Sequence, residues 1–402
     1  YLYNVIEGKF LCRSTTSTNY AAIGTYGDKV TITATENESE YTIQWASNNY
    51  YLRAYDTYIY GYSTSIYGSY DYFTIAESSK GYTIQRSPRN TGYYKADEFV
   101  GFDGSNGDRL TPALAEGSIH WQLMSVDDAE HYFAKHKLYT YLEQADQYNF
   151  YVTQYEAVYN NAASTTAQLN EAQLALKAAL DLSQNYVSPT WTEYPILFQS
   201  SSWRKDNSTG FSWSEYSTGT EQIATLTATV NVDNDATLAY TYYASSWNIT
   251  LRVYLDGELV QTISSNKSNY LWTPNGDNSS DYKRRYYIEL TSGKHDIAWT
   301  SVCNDSQTNN TNSCYLSEIG VQNTPTITPA TTTVEGQLGT EVLKLTDPVS
   351  SVKKIVISGV IGADDWTTIG LMVNAFSIDM SQATATAPLP ASMFTKSKFP
   401  FL

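Results

Sequence analysis

Tyr41-Thr42-Ile43-Gln44 recurs verbatim as Tyr82-Thr83-Ile84-Gln85, an offset of 41 residues, and this repetition governs the first third of the chain. Phe10-Leu11 returns as Tyr51-Leu52 at the same offset and, after a longer stretch, as Phe99-Val100. Val30-Thr31-Ile32-Thr33 corresponds to Phe73-Thr74-Ile75-Ala76 and, more loosely, to Trp121-Gln122-Leu123-Met124. A fixed period of about 20–50 residues marks a repeated structural unit. Each copy alternates apolar and polar residues and is punctuated by Gly, Asn and Ser, the pattern of short antiparallel strands. Three four-strand units are expected over residues 1–126.

Three units of this size resemble a β-trefoil. The opening Tyr1-Leu2-Tyr3-Asn4-Val5, followed by Gly8-Lys9-Phe10-Leu11, resembles the ricin-like modules that begin many secreted and surface proteins of gut bacteria. The resemblance implies a sugar-binding fold whose repeats carry a Gln-x-Trp core signature. Here the third repeat reads Ile119-His120-Trp121, and the first two have no Trp at that place. Tyrosine is in excess, with 36 copies against 12 Phe and 9 Trp. Its apolar ring and polar tip suit recognition surfaces better than sealed interiors. Tyr41 and Tyr82 are explained by the strand repeat. Tyr55, Tyr58, Tyr60, Tyr62, Tyr67, Tyr70 and Tyr72 sit among Gly, Ser and Thr, and of these Tyr58, Tyr60 and Tyr62 are candidate ligand-binding residues.

From Asp127 the spacing becomes helical. Ser125 can cap the start, with Asp127 and Asp128 in the first turn, where the helix dipole favours negative charge. A stretch rich in Ala, Leu, Gln, Glu and Lys runs to about Gln184, broken near Ala162-Ala163-Ser164-Thr165. Leu169, Leu174, Leu176, Leu180 and Leu182 lie among alanines and suit a narrow helix-to-helix seam. Leu138 to Leu182 is similar to the FIVAR-type helical repeats that act as spacers in bacterial surface proteins. Residues 127–186 are therefore expected to form an α-helical bundle or hairpin linker.

Residues 190–323 return to strand character. Leu251-Arg252-Val253-Tyr254-Leu255 and Glu258-Leu259-Val260-Gln261-Thr262-Ile263 flank Asp256-Gly257, the favoured two-residue hairpin turn, because both central positions need positive φ. Six or more antiparallel strands in this span read as a β-sandwich or jelly roll. Leu255-Asp256-Gly257, Gly293-Lys294-His295-Asp296-Ile297 and Tyr315-Leu316-Ser317-Glu318-Ile319 make the module look like the galactose-binding-like sandwiches that include many carbohydrate-binding modules. That resemblance implies a sugar stacked on an aromatic ring carried by a rim loop. Trp203, Trp247, Tyr270 and Trp272, set among Ser, Asn and Lys, are the candidate ligand-binding residues. Cys303 and Cys314 flank a polar loop between strands expected to be neighbours, so a disulfide is expected to tie the loop off, contributing roughly 2–3 kcal/mol. Such a bond implies an oxidising, exported location.

Residues 324–333 read as a Thr/Pro linker. Beyond it, Gly336-Gln337-Leu338, Val352-Lys353-Lys354-Ile355-Val356-Ile357-Ser358-Gly359 and Ile361-Gly362-Ala363-Asp364-Asp365-Trp366 resemble the N-terminal cap of BspA-like leucine-rich-repeat surface proteins. Ile378-Asp379-Met380-Ser381-Gln382-Ala383 and Leu389-Pro390-Ala391-Ser392-Met393-Phe394 match a first repeat. Residues 334–402 are therefore expected to form a small cap, either complete in itself or the start of a longer array. The paired carboxylates Asp364-Asp365 are better explained by helix capping than by catalysis.

A net charge of −16 gives no basic footprint, so nucleic acid is excluded as a partner. No apolar run approaches the roughly 18 residues of a membrane span. The four histidines include one close pair, His131 and His136, at a spacing unsuited to a shared helical face, and no metal site is expected. No nucleophile elbow, phosphate-cradling loop or zinc-protease motif is present, and no cofactor is expected. The fold class expected is mostly β and multidomain. Two functions stay open: a non-enzymatic, secreted or cell-surface adhesion protein, monomeric, its export signal removed, that binds glycans or host surface proteins, and a structural spacer with no ligand of its own. Glycoside hydrolysis, which needs two carboxylates flanking a cleft, is a third.

Overall fold

The first 123 residues form strands β1 (Leu2–Asn4), β2 (Lys9–Arg13), β3 (Ala21–Gly24), β4 (Val30–Ala34), β5 (Glu40–Trp45), β6 (Tyr51–Tyr55), β7 (Tyr58–Ser63), β8 (Tyr72–Ser78), β9 (Gly81–Arg86), β10 (Glu98–Gly101), β11 (Thr111–Leu114) and β12 (His120–Leu123), with buried and less buried side chains alternating clearly in β6 and β7 and neighbouring buried positions in β2, β3 and β5. The computed structural model describes residues 1–402 apart from 18, 115–116, 208–209, 217–220, 245–248, 265–283, 304–310, 324–327, 345–348, 353, 374, 376, 392 and 395–402. The chain is mostly β. It divides into two compact units, one of Tyr1–Thr140 with Tyr155–Gln173, the other of Tyr141–Gln154 with Leu174–Leu402.

In the first unit the twelve strands pair antiparallel in one sheet system. Hairpins β2–β3, β6–β7 and β10–β11 recur at every fourth strand. The repeated Tyr-Thr-Ile-Gln occupies β5 and β9, and the repeated isoleucines, Ile43 and Ile84, are both fully buried beside Leu2, Leu11, Leu52, Phe73 and Trp121.

Three helices follow, α1 (Val126–Gln147), α2 (Thr153–Asn160) and α3 (Thr166–Ser183). Ser125 Oγ accepts the Asp128 N–H at 3.1 Å, as an N-cap does. The start of α1 packs on the sheet through rings: Phe133 lies 4.7 Å from Phe10 and 5.3 Å from Tyr1 between centroids. Thr165 and Gln168 form a capping box at the start of α3, with Gln168 Oε1 accepting the Thr165 N–H and Thr165 Oγ1 accepting the Gln168 N–H. The sequence shows this break but not the one before α2. There Asn149 takes the left-handed conformation (φ 54°), which Asn tolerates, and ends α1 at a tight turn.

The second unit contains a sandwich. One sheet has the order β13 (Leu197–Ser200), β16 (Gln222–Val232), β21 (Gly293–Cys303), β18 (Ile249–Leu255), β19 (Glu258–Ser264); the other has the order β14 (Arg204–Asn207), β15 (Gly210–Tyr216), β22 (Thr311–Asn323), β17 (Ala236–Ala244), β20 (Arg284–Leu290). Phe198, Phe211, Leu226, Tyr240, Leu251, Trp299 and Leu316 fill the core between them. Asp256 and Gly257 both take positive φ in the β18–β19 turn. The Asp256 carboxylate also holds the buried His295 ring at 2.7 Å and accepts the Asp296 N–H at 2.8 Å.

Tyr186, expected to close the helical segment, belongs to the sandwich core. Its ring stacks on Phe211 at 5.3 Å, and its hydroxyl accepts the Ile319 N–H at 2.7 Å and donates to the Ile319 carbonyl at 2.8 Å. It thereby satisfies the backbone where Glu318 has positive φ and the β17–β22 register shifts. Tyr186→Phe strands a buried N–H and is expected to destabilise the sandwich by about 2 kcal/mol, read by urea unfolding with hydrogen exchange in residues 197–323.

The remaining part of this unit is a parallel three-stranded sheet, β23 (Thr328–Thr332), β24 (Lys354–Ile361) and β25 (Ser377–Ala385), with helices α4 (Leu338–Leu343) and α5 (Ala363–Gly370). The segment expected as a Thr/Pro linker is thus corrected for its second half: Thr328–Thr332 pairs with Ile355–Gly359, and Ala330 and Thr332 are buried. β23 is an edge strand of this sheet, the position in a sheet that tolerates a proline such as Pro329. Residues 324–327 lie outside those described.

Candidate functional site

The offset of 41 residues that aligns β5 with β9 places Arg86 where β5 has Trp45. Both are buried, at 0% exposure for Trp45 and 5% for Arg86. A guanidinium in a core position has to be solvated by the protein, because burial disfavours its charge and lowers its pKa. Two backbone carbonyls supply acceptors, that of Tyr93 at 2.7 Å and that of Asp56. The Arg86 Nε–H has no acceptor among the described residues.

This replacement opens the site. Around Arg86 lies a cleft of about 280 Å³ lined by the β6–β7 turn (Asp56, Thr57), by Tyr93, Lys95 and Glu98 ahead of and within β10, and by Asp103, Ser105 and Asn106 in the loop before β11. Lys95 and Glu98 pair at 2.7 Å. Burial pushes the Asp103 carboxyl up, but the Ser105 hydroxyl at 2.6 Å and the Ser105 N–H at 2.9 Å outweigh it, so its pKa stays below the usual carboxylate value. Asp103 therefore presents a fixed anionic acceptor. At the rim, Tyr93 packs against Tyr55 at 4.9 Å and Tyr70 at 5.8 Å, and Tyr70 stacks with Tyr67. The hydrogen bond its O–H makes with Tyr55, with burial, pushes the Tyr93 phenol up to about 12. An aromatic wall beside convergent carboxylates, an amide and cations can hold a polyhydroxylated ring: C–H groups meet the π face while the hydroxyls are bonded at the edge.

The tyrosine shelf is itself pinned. Arg53 grips the fully buried Asp71 through two bonds, Nε–Oδ1 at 2.7 Å and a second at 3.1 Å, and its guanidinium lies 4.9 Å from the Tyr67 ring.

The residues singled out from sequence fall in several places. Tyr58 and Tyr60 are half-buried and pack on Tyr20 at 5.3 and 4.8 Å, with Arg109 4.1 Å over the Tyr20 ring. Tyr62 is 62% exposed. None of the three lines the cleft. Trp203 is corrected: it lies in the connection between β13 and β14, but at 3% exposure its ring packs into the sandwich core and presents no face to a ligand. Trp247, Tyr270 and Trp272 lie outside the described residues.

The disulfide expected between Cys303 and Cys314 is also corrected. Both are buried thiols. Cys303 lies at the end of β21 in one sheet, opposite Gln222 and Ile249, whereas Cys314 lies in β22 of the other, opposite Trp213 and Ala244. The segment between them changes sheets instead of joining neighbouring strands. Burial pushes the Cys314 thiol up to about 12, and Ser301 Oγ sits 3.1 Å from its sulfur.

No protein family and no curated protein matches the chain. Among solved structures it is similar to the secreted serine protease VesC from Vibrio cholerae, at 12% identity and a TM-score of 0.25 over 36% of this chain and 27% of that one. It is similar to a family 35 carbohydrate-binding module from Clostridium thermocellum, at 15% identity and a TM-score of 0.19 over 32% of this chain and 92% of that one. A CBM35 from Cellvibrio japonicus Abf62 is 12% identical at a TM-score of 0.18, over 34% of this chain and 94% of that one. The chain spans only 18% of a β-glucosidase and 16% of a sialidase that it also matches.

Proposed function

We propose that this chain is a non-enzymatic, cell-surface or secreted carbohydrate-binding protein whose first unit, read as a ricin-like β-trefoil, holds a neutral pyranose in the Arg86 cleft. The observation that carries this reading is the coincidence in one cleft of the Tyr93 ring with the Ser105-braced Asp103 carboxylate and the Asn106 amide. Asp56, Glu98 and Asp103 outnumber Arg86 and Lys95 among the lining charges, which favours a neutral sugar over an acidic one. The helices are read as a spacer, and the parallel sheet of β23–β25 as the cap of a leucine-rich-repeat domain, an arrangement suited to adhesion.

A glycan array probed with the intact chain tests this. Retention on neutral glycans is expected to fall at least tenfold for Asp103→Ala and for Tyr93→Ala, both of which alter surface groups. Silence of the parent chain across the array would overturn the reading in favour of a ligand-free spacer. Release of reducing sugar from an arrayed polysaccharide would overturn its non-enzymatic part.

A further inference from the structure

The outer face of the second sandwich sheet carries a feature unrelated to the cleft of the first unit. Tyr243 of β17 and Tyr315 of β22 are direct cross-strand partners, and their rings stack at 5.5 Å with an interplanar angle of 30°. On the other side of β22, Gly210 of β15 is the partner of Ser317. A Cβ at position 210 would lie 2.8 Å from the Leu316 carbonyl oxygen and 3.0 Å from the Ser317 Cβ, so the close approach of the strands requires glycine. With no side chain there, a slot of about 220 Å³ opens, lined by Asp206, Gly210, Tyr243, Tyr315 and Ser317 over the backbone of Phe211 and Leu316.

We propose that this slot is a second carbohydrate site, taking one neutral pyranose unit. The tyrosine pair supplies a wall for the apolar sugar face, the Asp206 carboxylate accepts from ring hydroxyls, and the Ser317 hydroxyl bonds a third. The described lining carries a carboxylate, Asp206, and no lysine or arginine, a composition that favours a neutral sugar over an acidic one. The site lies in the second unit, and its existence does not depend on the Arg86 cleft. Two weak sites on one chain raise retention on a polysaccharide through effective concentration, without either becoming tight.

Ligand-observed saturation-transfer NMR on the intact chain decides it, with methyl β-glucopyranoside, methyl β-galactopyranoside and methyl β-glucuronide as probes. In a Tyr93→Ala/Asp103→Ala chain, saturation transfer to at least one neutral glycoside is expected to persist. Adding Tyr315→Ala is expected to reduce it at least tenfold, adding Tyr315→Phe to preserve it, and adding Asp206→Asn to weaken it about fivefold, while the glucuronide gives none. Complete loss in the Tyr93→Ala/Asp103→Ala chain overturns the slot and leaves the cleft standing. Undiminished transfer after Tyr315→Ala overturns it as well, and circular dichroism verifies that each variant is folded. Equal signal from the parent and from Tyr93→Ala/Asp103→Ala, with loss on Tyr315→Ala, supports the slot and removes the cleft instead.

Discussion

Glu40→Gln is expected to cost the first unit about 3 kcal/mol and to flatten its stability in acid. Glu40 is 3% exposed at the start of β5, and its carboxylate accepts from Thr35 Oγ1 at 3.0 Å, Asn37 Nδ2 at 2.9 Å, Arg89 at 2.7 Å and the Ser87 hydroxyl. Burial raises its pKa, but the bonds from Asn37, Ser87, Arg89 and Thr35 dominate and bring it down to about 2, from an ordinary 4.5. A folded-state pKa below the unfolded one stabilises fully above the unfolded value, and the contribution is lost as pH falls through the folded one. The parent should therefore lose stability in the window from pH 4.5 down to 2. Glu40→Gln has no proton to take up there and cannot offer four donors two acceptor oxygens. Hydrogen exchange in peptides covering residues 30–90, measured across that pH range, checks both parts. A parent and variant with parallel pH profiles would sink the assignment.

Asp365→Asn should be the most damaging single change in the parallel-sheet part of the second unit, at about 3–5 kcal/mol. The Asp365 carboxylate is fully buried and accepts three backbone N–H groups, from Gly336 at 2.7 Å, Leu338 at 2.8 Å and Gly362 at 2.8 Å. It caps α5 through Gly362 and, through the other two, fixes the turn that delivers Leu338 into the core beside Val342, Ile355 and Trp366. An asparagine amide replaces one acceptor oxygen with a donor that faces other donors. Limited proteolysis should cut within residues 328–394 of the variant while residues 197–323 stay protected. Unchanged protection of β24 and β25 would refute the role.

How far these features could be read beforehand depends on whether they are local in sequence. The β18–β19 turn and the Ser125 cap follow from adjacent residues and were legible; the repeat was legible too, but the tyrosines it explained, Tyr41 and Tyr82, are only half-buried, and the repeated residues that fill the core are Ile43 and Ile84. The Arg86 cleft was legible in part: the repeat that equates β5 with β9 also exposes Trp45 against Arg86, a cation where its twin has a core indole, and that contrast was the available signal. The stacked Tyr243 and Tyr315 are 72 residues apart, and only the β17–β22 register brings them together. Period-two alternation says that a residue faces inward or outward, but not which sheet carries it. This is why Cys303 and Cys314 were placed on adjacent strands when the chain crosses between sheets; Trp203 lies in the β13–β14 connection, where no strand period applies, and turns into the core despite its polar neighbours.

Tyr186, which anchors the segment after α3 to β22, also determines how the sandwich would carry tension. The chain reaches the sandwich at the short strand β13, paired with β16 over only four residues, and leaves it along β22, which is clamped between β15 and β17. A pull from the α3 side meets the Ser183 hydroxyl, which accepts the Phe198 N–H of β13 at 2.7 Å, then the Tyr186 hydroxyl on Ile319, the Glu193 N–H on the Val321 carbonyl, and the Glu193 carboxylate and Tyr194 hydroxyl on Asn323. Force is thus shared between β13 and the outgoing strand β22, and the short β13–β16 pairing does not carry the load alone until those fasteners shear.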